Sequence, residues 1–434
     1  MTQRIASVES ARRAPRDPLP WLRGVIVAVV LGGIAAGLLR PFAPQVDPVL
    51  DPSRWFDDAY LALANEFRTP RYAVSLVIVV LRLAVPLAVA LSGPGRRLVT
   101  AICRRVGEHR PTMAATAVVL VIVVVTDLLV LPLQFWLGYI HDGAYGFRTQ
   151  GLAGWSRDWI LAALPPWVLV GALTAGGWVL ARRLPRVWPE VGGLVAAALV
   201  VVVVMAAPLV LEPLHLRTEP LPDGPLRAEV ERLASDAGRD DVDIVVADAS
   251  RRTTRQNAYV SGIGATRRIV LYDTLVEAQP PEIVGAVLAH ELAHDRHGDL
   301  WRGAAMGAAA VAMAGPALGW FVRRRSRRGR QAGETDPRAA PMILAVIVVA
   351  LFVVQPAERA ISRQMEAAAD LGGLELTGDP AVFLEQREAV TRANLGNPDP
   401  PRWVRALWST HPSSAERMTM GERWPLDWVG PIEP

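Results

Sequence analysis

Residues 281–299 read Pro281-Glu-Ile-Val-Gly-Ala-Val-Leu-Ala-His290-Glu291-Leu-Ala-His294-Asp-Arg-His297-Gly-Asp299, and an apolar run, Gly303–Val322, begins four residues later. Pro281 suits a helix start, because its missing N–H would be unpaired in the first turn anyway. On that helix His290 and His294 lie one turn apart on one face, where both imidazoles reach a single metal ion. Zinc is the ion such a pair implies, and Glu291, projecting to the side, can take a proton from water that the metal has made acidic. The bland alternative, an ordinary helix with two histidines, is a rare coincidence in a chain with only 7 histidines. His297 lies on a nearby face and reads as a flanking residue rather than a ligand. The stretch thus joins a metal-gripping helix to a segment of the roughly 20 residues needed to cross a bilayer.

Further apolar runs extend this pattern in both directions. Hydrophobic residues make up 51% of the chain and gather at Trp21–Leu39, Tyr72–Leu91, Met113–Leu137, Trp159–Ala181, Val191–Leu211, Gly303–Val322 and Pro341–Gln355. The last is the shortest and leaves room for a tilted or partly re-entrant segment. The expected fold is mainly α: a polytopic membrane bundle of about seven spans with a small α+β metalloprotease domain. The expected division is 1–211 with five spans, 212–302 with the metal helix, 303–356 as a two-span hairpin, and 357–434 as a C-terminal catalytic segment. Within 212–302 the pattern predicts a helix over Pro225–Ala237 and strands near Val242–Ala247, Gln256–Ile263 and Arg267–Tyr272. Gly262 and Gly264 suit a hairpin or bend, without the third glycine of a dinucleotide fingerprint.

Charge and cysteine content narrow the classes. All 46 basic residues are arginine, and that bias, with abundant alanine, glycine and proline, implies a GC-rich bacterial source and hence the bacterial cell membrane. Nineteen arginines fall on one set of tails and loops (the N-terminal tail, 92–112, 181–190 and 323–340), against six on the opposite short loops. The positive-inside rule predicts the arginine-rich set in the cytoplasm and the catalytic segments outside. The basic balance therefore reads as membrane topology, and no nucleic-acid module is present to compete with it. Cys103 is the single cysteine, which excludes an intrachain disulfide and a cysteine-ligated zinc site. The first apolar run has no clear cleavage site and reads as a retained span.

A third protein ligand is needed, with a fourth position left for water or substrate. Glu366, in Ser362-Arg-Gln-Met-Glu366-Ala-Ala-Ala-Asp370, is the leading candidate; Glu358, Glu375 and His411 are its rivals. Asp370, one turn on, can orient a ligand imidazole. The hairpin of spans six and seven returns the chain to the face it left, so His294 and Glu366 can meet. Two charges fall inside spans, Arg82 and Asp127, and intramembrane charge normally faces a cavity or a partner.

The chain resembles the type I CAAX prenyl proteases, integral-membrane gluzincins with many bacterial members. The residues that carry the resemblance run from Leu131-Pro-Leu-Gln-Phe-Trp-Leu-Gly-Tyr-Ile-His-Asp-Gly-Ala-Tyr-Gly-Phe-Arg-Thr-Gln150 and Gly154-Trp-Ser-Arg-Asp158 to Asn257-Ala-Tyr-Val-Ser-Gly262. The metal motif, Glu366-Ala-Ala-Ala-Asp370 and Thr410-His-Pro-Ser-Ser-Ala-Glu-Arg417 complete them. The resemblance implies His290, His294 and Glu366 as zinc ligands and Glu291 as general base. It also implies that His411, and Arg417 with it, stabilise an oxyanion, although a structural ion pair explains Arg417 equally well. It places Asn257 and the following strand at a sheet edge beside the metal, in reach of substrate, and it implies seven helices around a water-filled chamber. The reaction so implied is zinc-dependent hydrolysis of membrane-associated peptides or proteins. A silent zinc-holding scaffold would have no use for Glu291, and a transporter would leave the metal motif unexplained.

Overall fold

The structure, a computed structural model, describes residues 20–39, 49–107, 109–210, 212–239, 242–262, 267–327 and 335–424. Gly264, Arg40, the arginines of the N-terminal tail, and Arg328 and Arg330 lie outside these described residues.

The membrane helices are α1 (Pro20–Leu38), α2 (Asp58–Leu91), α4 (Pro111–Phe135), α5 (Leu152–Arg183) and α6 (Trp188–Val210), with an amphipathic helix α3 (Gly93–Val106) after α2. The catalytic segment follows as β1 (Thr218–Pro220), α7 (Pro225–Asp236), β2 (Asp243–Ala247), β3 (Ala258–Ser261), β4 (Arg268–Tyr272) and α8 (Pro281–His297). Then come α9 (Asp299–Arg327), α10 (Ala340–Thr377), α11 (Pro380–Ala393), α12 (Arg402–Leu407) and α13 (Ser414–Arg423). Six helices among the described residues are long and apolar enough to cross a membrane, and α1 adds a shorter apolar helix over Leu22–Leu38.

Helices α2, α4, α5, α6, α9 and α10 pack each on the next and close as a ring, with α1 against α6 and α9. Between Phe67 and Pro86, α2 buries no side chain. A wall helix of this kind has one face for lipid and one for the interior of the ring. Close packing on the α6–α9 side comes from small residues: a Cβ on Gly315 would lie 2.4 Å from the Pro189 carbonyl oxygen and 2.7 Å from the Gly193 Cα. Arg82 and Asp127 do pair, Arg82 Nη2 donating to Asp127 Oδ1 at 3.1 Å, and Trp167 Nε1 donates to Asp127 Oδ2 at 2.7 Å. One carboxylate therefore ties α2, α4 and α5 together within the span region.

Two readings of the sequence need correction. The seventh span is not short or re-entrant, and the helix bearing Glu366 is not a separate one beginning after it. Both belong to α10, a single helix of 38 residues that continues through Pro356. The stretch after Pro356 is rich in helix formers and carries no glycine until Gly372, so nothing stops the helix at the membrane boundary. The strand β1, which the sequence reading missed, is a three-residue segment containing a proline at its end, and it is held by pairing with β2.

The sheet has the order β1-β2-β4-β3, with β2 parallel to β4 and the other pairs antiparallel, so β3 is an edge strand. Its core, with Val230, Leu233, Ile269, Leu271, Val284, Leu288 and Leu292, packs α8 against the sheet and α7. Helix α8 stops at Gly298, whose left-handed φ of 64° turns the chain into α9. On its other side α8 meets α10 at Gly372 and Gly373, where an added Cβ would lie 2.8 Å from the Ala293 Cβ and 3.1 Å from the His290 nitrogen. Only glycine permits that approach.

The described parts of the arginine-rich segments 92–112, 181–190 and 323–340 collect at one end of the ring: α3 packs on the turn before α10, and Arg323 donates to the carbonyls of Pro185 and Arg186. Glu366 is 26 residues beyond Ala340 along α10, about 39 Å at 1.5 Å per residue, so the metal motif sits at the opposite end.

The Asp127 junction makes a measurable prediction. Asp127→Ala strands the Arg82 guanidinium and the Trp167 indole N–H, and should lower unfolding stability in detergent by about 1–3 kcal/mol. The loss should shrink in an Arg82→Gln background; strictly additive effects on melting temperature would count against a shared junction.

Candidate active site

His290 and His294 project from α8 toward Glu366 on α10. His290 Nε2 lies 3.2 Å from His294 Nε2 and 3.2 Å from Glu366 Oε2, and His294 Nε2 lies 3.6 Å from the same oxygen. These three atoms are the one set of candidate metal ligands among the described residues. Ligands tetrahedrally placed about 2.0–2.1 Å from an ion are separated by about 3.3–3.4 Å, which is the size of this triangle. Glu366 Oε2 is buried and accepts no hydrogen bond despite its three nitrogen neighbours. An orphaned buried carboxylate oxygen is costly, and a cation at the centre of the triangle satisfies it. The donor set fits a metal, and its two imidazoles and one carboxylate are the ligand chemistry of a catalytic zinc site.

Behind the triangle each imidazole is held by its other nitrogen. His290 Nδ1 is 2.9 Å from Asp370 Oδ1, and His294 Nδ1 is 2.7 Å from Asp299 Oδ2. A carboxylate at Nδ1 keeps the proton there and leaves the Nε2 lone pair facing the triangle. Asp370 is fully buried and is in turn gripped by Arg417, whose Nε donates to Oδ2 at 2.6 Å and whose Nη2 donates to Oδ1. Arg417 thus forms an ion pair with Asp370, one of the two readings left open for this arginine, and its Nη2 also lies 3.5 Å from His290 Nδ1.

Glu291 follows His290 on α8. Burial pushes its carboxyl above the ordinary carboxylate range, while His290 and His294 pull it back. His411 sits on the loop before α13, half-exposed, with Nε2 3.1 Å from Glu366 Oε2 and Nδ1 2.8 Å from the Thr410 hydroxyl. It therefore lies at the mouth of the triangle. Asn257 is exposed just before β3, and its carbonyl accepts from the Tyr272 N–H at 3.0 Å. His297 points away from the triangle, its ring close to Gly372.

The sequence reading missed two residues. Asp299 was given no role, but the left-handed turn at Gly298 folds it back onto His294; a carboxylate just past a glycine cap was the available signal. Arg387 on α11 is buried, with Nη1 3.9 Å from Asp370 Oδ1 and its guanidinium over the Phe383 ring at 5.4 Å. Burial, followed by repulsion from Arg417, pulls its pKa down to about 9. Nothing in the sequence distinguishes it from a surface arginine on an amphipathic helix.

Known proteins are similar to this chain in sequence and in fold. The chain is 26% identical over 378 residues to the Bacillus subtilis protein described as uncharacterized metalloprotease YhfN, covering 86% of this chain and 88% of that one. It is 34% identical over 193 residues to a CAAX prenyl protease 1 homolog of Oryza sativa, a match spanning 42% of this chain and 43% of the rice protein. The crystal structure of S. mikatae Ste24p has the same fold, with a TM-score of 0.70 at 20% identity over 92% of this chain and 98% of that one. A metal-binding triangle on a multi-pass helical ring thus marks a membrane-embedded metalloprotease. Residues 220–424 match Peptidase family M48, and the chain is similar in sequence to the CAAX prenyl protease 1 homologs.

Removing the support of one imidazole should weaken the metal without emptying the triangle. Asp299→Ala is expected to reduce metal affinity by about tenfold to a hundredfold, measured by competition with a chromophoric chelator. Unchanged affinity would show that Asp299 does not orient His294.

Proposed function

We propose that this protein is a zinc-dependent endopeptidase acting on membrane-associated peptides or proteins, with His290, His294 and Glu366 as zinc ligands. The observation that carries the reading is the triangle of Nε2, Nε2 and Oε2 atoms, with Glu291 next to His290 on α8 and in electrostatic contact with all three residues. Zinc held there supplies Lewis acidity, polarising the scissile carbonyl and making water acidic enough to react near neutral pH.

The chain's own residues then perform the rest. Glu291 takes the proton from the attacking water and passes it to the departing amine, a carboxylate being able to act first as base and then as acid. His411, at the mouth, donates to the oxygen that gains negative charge as the carbonyl carbon becomes tetrahedral, an interaction strongest in the transition state. Asp370 and Asp299 keep the imidazoles aimed, and Arg417 keeps Asp370 ionised and in place. The edge strand β3 offers backbone groups to an extended peptide, with Asn257 at its start as a further substrate contact. The matching CAAX prenyl proteases suggest lipid-anchored substrates, and the position of the site at one end of a membrane ring supports substrates drawn from the bilayer surface.

Glu291→Gln should retain about one zinc per chain while lowering kcat by roughly a hundredfold to ten-thousandfold, and chelation of the wild type should abolish cleavage until zinc is returned. A Glu291→Gln protein that cleaves peptides as fast as the wild type would overturn the mechanism.

A further inference from the structure

The edge strand that the proposed function assigns to the substrate is closed at one end. Tyr272 N–H donates to the Asn257 carbonyl, and Ala258 faces Leu271 in the antiparallel register. Alternation along an antiparallel ladder then turns the backbone groups of 257, 259 and 261 toward β4, and those of 256, 258 and 260 toward the free edge. Among the described residues no hydrogen-bond partner meets Ala258 or Val260 on that edge. Gln256 is different. Its N–H donates to Asn394 Oδ1 at 3.2 Å, and its carbonyl accepts from Asn394 Nδ2 at 3.1 Å. The side-chain amide of Asn394 thus makes the two hydrogen bonds that a residue of a paired strand would make.

The turn that carries Asn394 is held from α2 and from Arg255, whose Nη1 donates to the Asn394 carbonyl at 3.4 Å. The Tyr60 hydroxyl donates to the carbonyls of Thr391 and Gly396, both at 2.8 Å. Arg68 donates from Nε to the Leu395 carbonyl at 2.7 Å and from Nη2 to the Asn394 carbonyl at 2.9 Å. Arg255, beside Gln256, is held by Asp142 at 3.0 Å and stacks over the Phe147 ring at 3.9 Å. Leu395 has φ of 44°, the one non-glycine residue in left-handed backbone among those described. A leucine is kept in that conformation only where surrounding contacts over-determine it.

We propose that Asn394 is the end stop of the peptide groove: its amide fills the ladder position at Gln256, so that an extended substrate pairs with Ala258 and Val260 and can go no further in that direction. This makes Asn394 a specificity-determining residue, limiting how many substrate residues are read on one side of the scissile bond. The inference rests on the protease reading above and on substrate pairing with β3.

The test compares purified wild type, Asn394→Ala and Asn394→Asp on a quenched-fluorescent peptide series lengthened one residue at a time at either end. Thermal melts and zinc content confirm that each variant is folded and loaded. In the wild type, kcat/KM should stop rising with length at one end of the peptide. In Asn394→Ala that limit should move outward, the longer peptide gaining about threefold to tenfold over its predecessor, the worth of one more backbone pair. Asn394→Asp keeps the acceptor for the Gln256 N–H and frees only the carbonyl, so its gain should be smaller. Variants that melt lower but keep the wild-type length profile would reduce Asn394 to a structural clamp and overturn the stop. Glu291→Gln runs alongside: cleavage that survives it would overturn the assignment of catalysis to this site as well, so the two failures are distinguishable.

Discussion

The closest approach in the molecule that matters for chemistry is between two helices, α8 and α10, at Gly372 and Gly373. Any side chain there would push α10 off the His290 backbone. With glycine in place, α10 lies close along α8, and Glu366 is delivered to within 3.2 Å of His290 Nε2. A shift of one ångström would separate the carboxylate from the imidazole pair. The metal triangle is therefore a consequence of helix packing rather than of loop placement, and this rigidity is what a pre-organised catalytic site requires.

Charge balance explains the ring of residues behind the triangle. Glu291, Glu366, Asp370 and Asp299 bring four carboxylates into a small, largely buried volume. Arg417 and Arg387 return two positive charges, both against Asp370. A divalent cation in the triangle completes neutrality, which is the condition for burying so many ionic groups together. Arg417 holds Asp370 with two hydrogen bonds, whereas His411 is half-exposed and reaches Glu366 from the solvent side.

The same economy operates in the wall of the ring. Arg82 and Asp127 lie where lipid would penalise either alone, and they meet each other and Trp167 instead. The wall helices contact their neighbours in turn and leave few side chains buried along α2, an arrangement suited to a ring around an interior and unlike a solid bundle. Gathering the arginine-rich segments at one end and the catalytic elements at the other gives the molecule a polarity along its axis.

The residues alone were enough to read the apolar spans, the helix with the histidine pair and Glu366 as the candidate third ligand. Apolar runs and a histidine pair four residues apart are periodic, local signals, and hairpin parity returned Glu366 to the right face. The edge strand after Asn257 was legible only through the likeness to known proteases, because period-two alternation cannot say which strand ends a sheet. Tertiary structure alone decided the remainder. It fused the seventh span with the Glu366 helix, folded Asp299 back onto His294, and committed Arg417 to Asp370. It also set Arg387 behind the site and laid the Asn394 amide on the backbone of Gln256. Each of these is a contact between side chains or carbonyls far apart in the chain, whose partner is fixed by packing geometry and leaves no pattern in the residues on either side.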